Sequence, residues 1–432
     1  MIAGTAKIET TPATPVWMDG MIRAHESVGI HDPLYARAVF ISPDENPANG
    51  YVIVSVDACG LDDAAASVIR TAAEAGTGVP SGHIIVAATH THSGPATLGV
   101  FNDRESEYVA ELSFTIVSAI KSAVSRAEPA SAGCAHGRED TISHYRRLMT
   151  VDGRVVMNWE PHSPDLVVPL GRPDDQIGVL VVSRRADADD LMCLLFNHAG
   201  HPNVMSGENY LISADYPGMA ASLIEEELRC TAMFINGAQG SVDIDGLRDR
   251  DWDGVARVGG ALAEAAIAVA REAVPSENAR IRGLHTEYTL ASRKMTSREL
   301  AWAERVLAGT RGSVQSMPDG MSDDYKASFY KKLQELESTD VIVRQTCFAV
   351  DDTAFISFPG ELFTEIGLRI KEESPFPQTC ILGLANGYIG YVPTREAVSV
   401  GGYEVEARRV SEEAEQIVVE RSLALLREVR ES

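Results

Sequence analysis

What this chain of 432 residues lacks narrows its function before any motif is considered. It is short of positive charge. Its 38 lysines and arginines against 62 aspartates and glutamates leave a net charge of −24, which repels phosphate backbones and anionic headgroups and excludes nucleic acid as a partner. Paired cysteines are missing too: Cys59, Cys134, Cys193, Cys230, Cys347 and Cys380 are scattered, without a Cys-x-x-Cys pair or a disulfide framework, and read as buried free thiols. No apolar run approaches the roughly 20 residues of a membrane span, so stable membrane insertion is not expected. The start, from Met1 to Pro12, carries no basic segment followed by an apolar one, and the expected location is cytoplasmic. Repeats and low-complexity linkers are absent.

What remains is the composition of a large globular protein, with 45% hydrophobic residues. Short β-branched runs, Val52 to Val56, Ile84 to Ala88, Val179 to Val182 and Met192 to Phe196, read as buried strands. Helical patterns fill the gaps: Asp62 to Glu74, Ser106 to Arg126, Pro217 to Leu228 and Asp253 to Arg271. The alternation predicts an α/β fold of mixed β-sheets flanked by helices. From about 291 to 340 the pattern changes to two polar helices, Ser297 to Leu307 and Asp323 to Leu336, joined by a Gly/Ser/Met-rich connection. This helical insertion either covers a site or forms a surface or dimer-contact hairpin, which leaves a homo-oligomer open. Strands resume at Val341 to Phe348 and Ala354 to Phe358, and Ser411 starts a closing helix.

Two histidine clusters follow strand patterns. Thr89-His90-Thr91-His92-Ser93-Gly94-Pro95 comes after Ile84 to Ala88, and His198-Ala199-Gly200-His201-Pro202 after Met192 to Leu195. If the strand continues, His90 and His92 share a face, and strand ends in α/β proteins are where ligands bind. Imidazoles of this kind suit zinc; the alternative is a set of histidines that satisfy loop backbone groups. Glu361, in Phe358-Pro359-Gly360-Glu361, is placed at a helix start, where the dipole would favour its charged form; an ordinary first-turn glutamate reads the same way. The run Asp187-Ala188-Asp189-Asp190 reads as a solvated turn, and Asp243-x-Asp245-Gly246 is too sparse for a calcium loop. His25, His31 and His198 either line the pocket or are structural.

In order along the chain stand Gly29-Ile30-His31, Val54-Ser55-Val56-Asp57, the Thr-His-Thr-His-Ser-Gly-Pro run, His201-Pro202 with Ile212-Ser213-Ala214-Asp215, Asn236-Gly237-Ala238-Gln239-Gly240, Pro359-Gly360-Glu361 and Tyr391-Val392-x-Thr394-Arg395-Glu396. This series resembles the catalytic domain of the neutral, non-lysosomal ceramidases, which are zinc-dependent amidases. The resemblance implies zinc ligation by His90, His201, Glu361 and Tyr391, with His92 beside the metal as a proton-handling non-ligand. It also implies contacts from Arg146 and Tyr403 to the scissile carbonyl or the intermediate. Asp57 and Asp215 become candidates for orienting the ligand imidazoles, with a structural role as the alternative.

The chain departs from the family pattern at Tyr145, where an asparagine precedes the arginine, and at Gly240-Ser241-Val242-Asp243, where Asp243 takes the place of a serine. A C-terminal immunoglobulin-like domain is not expected either, so residues 1–432 read as one large catalytic domain. These departures point away from ceramide and toward hydrolysis of a C–N amide bond in a small, soluble N-acyl compound or lactam. An esterase or lactonase using the same centre and a non-catalytic, metal-stabilised binding protein are the alternatives.

Overall fold

The computed structural model describes residues 1–185, 187–244, 250–309, 317, 319–336 and 339–432, with only the backbone described for 187–189. Asp245 and Gly246 therefore lie outside the described residues, as does most of the connection between the insertion helices. An eight-stranded mixed sheet runs, in spatial order, through Thr231–Asn236, Asp187–His198, Gln176–Arg184, Glu128–Arg138, Ile2–Glu9, Tyr35–Ser42, Tyr51–Val56 and Ile84–Ala88. A second sheet of four strands contains Ile281–Leu290, Val341–Val350, Thr353–Ser357 and Gln378–Leu382.

Strand alternation explains how the sheets stack. Ile53 and Ile85 point inward, into a core shared with Phe348, Phe355 and Leu382 of the smaller sheet. Their neighbours Val52, Val54, Ile84 and Val86 point outward, against Ile69, Leu112 and Ile116 of helices Asp63–Thr77 and Ser106–Ser125. Strands buried on both faces read as continuous apolar runs. Helices Asp215–Leu228 and Trp252–Ala270 cover the other half of the large sheet, and Thr364–Glu372 and Ala414–Glu431 cover the small one. The result is helices, sheet, sheet, helices. The helix from Asp63 shows how local chemistry sets boundaries: Asp62 Oδ1 accepts from the amide of Ala65, and Gly78 closes the helix in the left-handed conformation at φ 77°.

The α/β expectation and most element positions hold, with several corrections. Asp187 and Asp190 belong to the long strand Asp187–His198, not to a turn; the polar run extends an antiparallel pairing with Gln176–Arg184 through a register shift. The closing helix starts after Glu413, so Ser411 does not cap it. Glu361 is not at a helix start: it lies in the two-residue strand Glu361–Leu362, before the helix that begins at Thr364. No helix among the described residues is long and apolar enough to cross a membrane.

Candidate metal centre and active site

The strand Ile84–Ala88 ends before the first histidine, so pleat alternation is not what brings His90 and His92 together. His90 adopts φ 76°. Its amide donates to Ala58 O at 2.9 Å, and the amide of His92 donates to Pro202 O at 3.0 Å. These bonds turn the chain so that the two rings meet edge to face, with Nε2 atoms 3.3 Å apart. The loop carrying His201 is tied to the same place by Asn236, whose side-chain amide donates to Gly200 O (2.9 Å) and Thr89 O (3.3 Å). Glu361 follows the strand Thr353–Ser357 of the smaller sheet and lies in a separate two-stranded pairing: its short strand pairs in parallel with Tyr391–Val392, in register Glu361 to Tyr391.

Three donor atoms converge. Glu361 Oε2 lies 3.3 Å from His90 Nε2 and 3.1 Å from His201 Nε2. All three residues are buried. Each imidazole is engaged at its other nitrogen by a backbone carbonyl, His90 Nδ1 by Cys59 O (2.6 Å) and His201 Nδ1 by Val242 O (2.8 Å). A carbonyl can only accept, so the proton sits on Nδ1 and the Nε2 lone pair faces inward. Two lone pairs and a carboxylate, desolvated and aimed at one point, make a set of acceptors that a divalent cation completes, and imidazole with carboxylate is a zinc donor set. Cys59, His90 and His92 also cluster. They suit an ion less well, because Cys59 Sγ faces the committed Nδ1 of His90 at 3.7 Å and burial keeps the thiol protonated, well above its ordinary pKa.

Burial is the largest influence on Glu361 and pushes its carboxyl up; protons on the facing Nε2 atoms of His90 and His201 would overcome it and hold the group well below the usual range, the part a cation takes when the Nε2 lone pairs face inward. The Tyr388 hydroxyl donates to Glu361 Oε1 at 2.7 Å. His92 is held neutral by burial and by the neighbouring His90 and His201, which push its pKa well down; its Nδ1 is buried without a partner.

Arg146 forms the second half of the site. It is 2% exposed and donates from Nε to Glu404 (2.7 Å) and from Nη2 to Gly240 O (3.0 Å), while Nη1 lies 3.2 Å from His201 Nε2 and 3.4 Å from Asp243 Oδ1. The rings of Trp159, Tyr391 and Tyr403 surround the guanidinium, 5.4 to 5.9 Å from its carbon. Burial works against its charge, but Tyr391, Glu404 and Asp243 more than compensate and raise its pKa. Tyr403 stands edge-on to Tyr391 with centroids 5.8 Å apart, and burial raises the pKa of both phenols, so both remain donors.

The structure thus brings His90, His92, His201, Glu361, Tyr391, Arg146 and Tyr403 into one cluster. Other expectations move. Asp57 accepts from Arg37 (2.8 Å) and the Tyr35 amide (2.9 Å), and Asp215 from the amides of Tyr216 and Met205. Neither touches an imidazole; carbonyls of Cys59 and Val242 do that work instead. His25 stacks on Tyr210, His31 stacks on Trp252, and His198 bonds Ser143; none lines the cavity. Tyr145 bonds Glu365 and does not line it either; it ends the short strand Ser143–Tyr145, and Arg146, in the break before the strand Arg147–Thr150, takes the site side. Asp243 does belong, accepting from Asn203 (3.1 Å) with Oδ2 buried and unpartnered.

Sequence reasoning missed Glu404, which is fully buried and bridges Arg146 to Arg147 (2.7 Å to each). The available signal was the Arg146-Arg147 pair, since two adjacent buried guanidiniums require a carboxylate. Beside the cluster opens a cavity of about 580 Å³. Its wall includes Leu98, Val100 and Phe101 and, from the helical insertion, Leu307, Leu333 and Leu336. The insertion therefore faces the site.

A family model for the neutral/alkaline non-lysosomal ceramidase N-terminal region matches residues 3–238. The chain belongs to this family. Membership supports a hydrolase. The neutral ceramidase from Pseudomonas aeruginosa shares the fold: it is 18% identical, with a TM-score of 0.75, over 100% of this chain and 74% of that one. A ceramidase complexed with C2 gives the same identity and TM-score over 100% and 75%. No curated protein sequence matches the chain.

Proposed function

We propose that this ceramidase-family chain is a zinc-dependent amidohydrolase that cleaves the C–N bond of an N-acyl compound. The observation that carries the reading is the convergence of His90 Nε2, His201 Nε2 and a Glu361 oxygen within 4.8 Å of one another, at a cavity with an apolar wall. Tyr391, in register with Glu361, is the proposed fourth ligand. A zinc ion there supplies a Lewis acid that lowers the pKa of water toward about 7 and polarises a carbonyl.

The chain's own residues do the rest. Hydrolysis adds water across the C–N bond, so one proton leaves the water and one reaches the departing nitrogen. His92 is placed to carry it, being neutral and having Nε2 beside the cluster. Arg146 and Tyr403 donate to the carbonyl oxygen as charge develops, each worth about 3 kcal/mol where such donors have been removed. The hydrophobic wall supports an aliphatic acyl chain on the substrate, larger than the small, soluble compound expected from the sequence.

Metal analysis with amide turnover tests this. Purified protein should carry stoichiometric zinc, and His201→Ala should lose both the metal and activity, the latter by at least about a thousandfold. Protein without a stoichiometric transition metal, or a His201→Ala variant that keeps metal and activity, refutes the reading.

A further inference from the structure

Two cations line the cavity without a carboxylate of their own. Arg409 follows the short helix Tyr403–Ala407, and Lys332 lies on the insertion helix Asp323–Leu336. Among the described residues neither has an ion-pair partner, and Arg409 Nε is buried with no hydrogen-bond acceptor.

The nearby acids are engaged elsewhere. Asp63, which acts on Arg409, pairs with Arg344. Asp62 accepts from the Ala65 amide and pairs with Arg104 at 2.9 Å. Asp324 accepts from the Tyr325 amide (3.0 Å) and from the Ser322 hydroxyl.

We infer that Arg409, assisted by Lys332, binds an anionic group on the substrate, and that the substrate class is an N-acyl amide carrying a carboxylate, such as an N-acyl amino acid. The planar guanidinium fork matches a carboxylate. Asp62 and Asp324 in the same wall favour a single negative charge over a phosphate dianion, which they would repel. The apolar wall takes the acyl chain. This inference rests on the amidohydrolase reading and specifies its substrate.

The test compares N-dodecanoylglycine with N-dodecanoylglycinamide, which share chain and scissile bond and differ in charge. The zinc-loaded protein should prefer the glycine compound by about tenfold in kcat/KM. Arg409→Met should abolish the preference by raising KM for the glycine compound, Arg409→Lys should keep part of it, and Lys332→Met, an exposed change that leaves folding intact, should reduce it by about threefold. Equal kcat/KM for the two compounds, or a preference that survives Arg409→Met, overturns the subsite and leaves the hydrolase standing. If neither compound is cleaved, the hydrolase reading fails for this class, and calorimetric binding of N-dodecanoylglycine decides the subsite. Binding that weakens about tenfold in Arg409→Met upholds it; no binding, or binding unaffected by Arg409→Met, overturns it.

Discussion

The histidine wall of the cavity and the wall contributed by the insertion helices are held by different forces. On the first, His90, His201 and Glu361 are buried at 2%, 0% and 1% exposure, and the imidazoles are fixed by the carbonyls of Cys59 and Val242, in buried segments that adjoin the two-sheet frame. On the second, Ala303, Ala327, Tyr330 and Leu333 form a small apolar cluster of their own, separate from the four-layer core, and Ser328 and Lys332 are exposed. Backbone hydrogen bonds position reacting atoms within tenths of an ångström, whereas an appended helical pair packs by side-chain volume. On the proposed reading, the difference gives chemistry to the frame and substrate shape to the insertion. It also means that the insertion can change without disturbing the donor set.

The largest effect that would sharpen this division is expected at Glu404. Glu404→Gln removes the charge shared by Arg146 and Arg147, leaving two buried guanidiniums to face each other. Breaking such a pair costs about 3–5 kcal/mol, which should appear as a lower midpoint in denaturant unfolding. It should also lower kcat through Arg146 and the adjacent Tyr403 while zinc content is unchanged. A variant that loses zinc in proportion to activity would show that the arginine half and the imidazole half are not separable.

A smaller effect is expected at Gly20. It adopts φ 83°, and a Cβ there would lie 2.3 Å from His92 Cγ, so Gly20→Ala must displace the ring. Overpacking together with the left-handed backbone costs about 2 kcal/mol. If His92 moves protons without ligating metal, kcat falls and zinc is retained at full stoichiometry. Zinc lost with the ring's displacement would make His92 a ligand.

Much of this was legible in the sequence, for reasons that also explain the failures. Apolar runs such as Ile84 to Ala88 located the strands because they are buried on both faces, and the ordered motifs located His90, His201, Glu361 and Tyr391. Hidden were the contacts that join distant segments. The register that sets Glu361 opposite Tyr391 spans 30 residues of loop, strand and helix. The orienting groups for His90 and His201 are backbone carbonyls, which carry no residue identity, and for that reason Asp57 and Asp215 were the wrong candidates. The position of the insertion was also hidden, since its amphipathic pattern fits a surface hairpin as well as a cavity wall. Glu404 stands in no motif, and only the fold brings it to Arg146 and Arg147.

The smallest predicted effect tests the other side of the comparison. Leu336 lines the cavity from the insertion helix and is only half-buried, so Leu336→Ala should leave the thermal midpoint nearly unchanged and the zinc content intact. If the aliphatic chain of the substrate lies against this wall, losing that contact removes about 1 kcal/mol of apolar burial, seen as a rise of about fivefold in KM for a dodecanoyl amide. An acetyl amide, too short to extend along the wall, should be hydrolysed by Leu336→Ala and the parent protein with the same KM. An equal loss on both substrates would mean that the insertion acts on the reacting groups themselves, and the separation of chemistry from shape would fail at the point where the two walls meet.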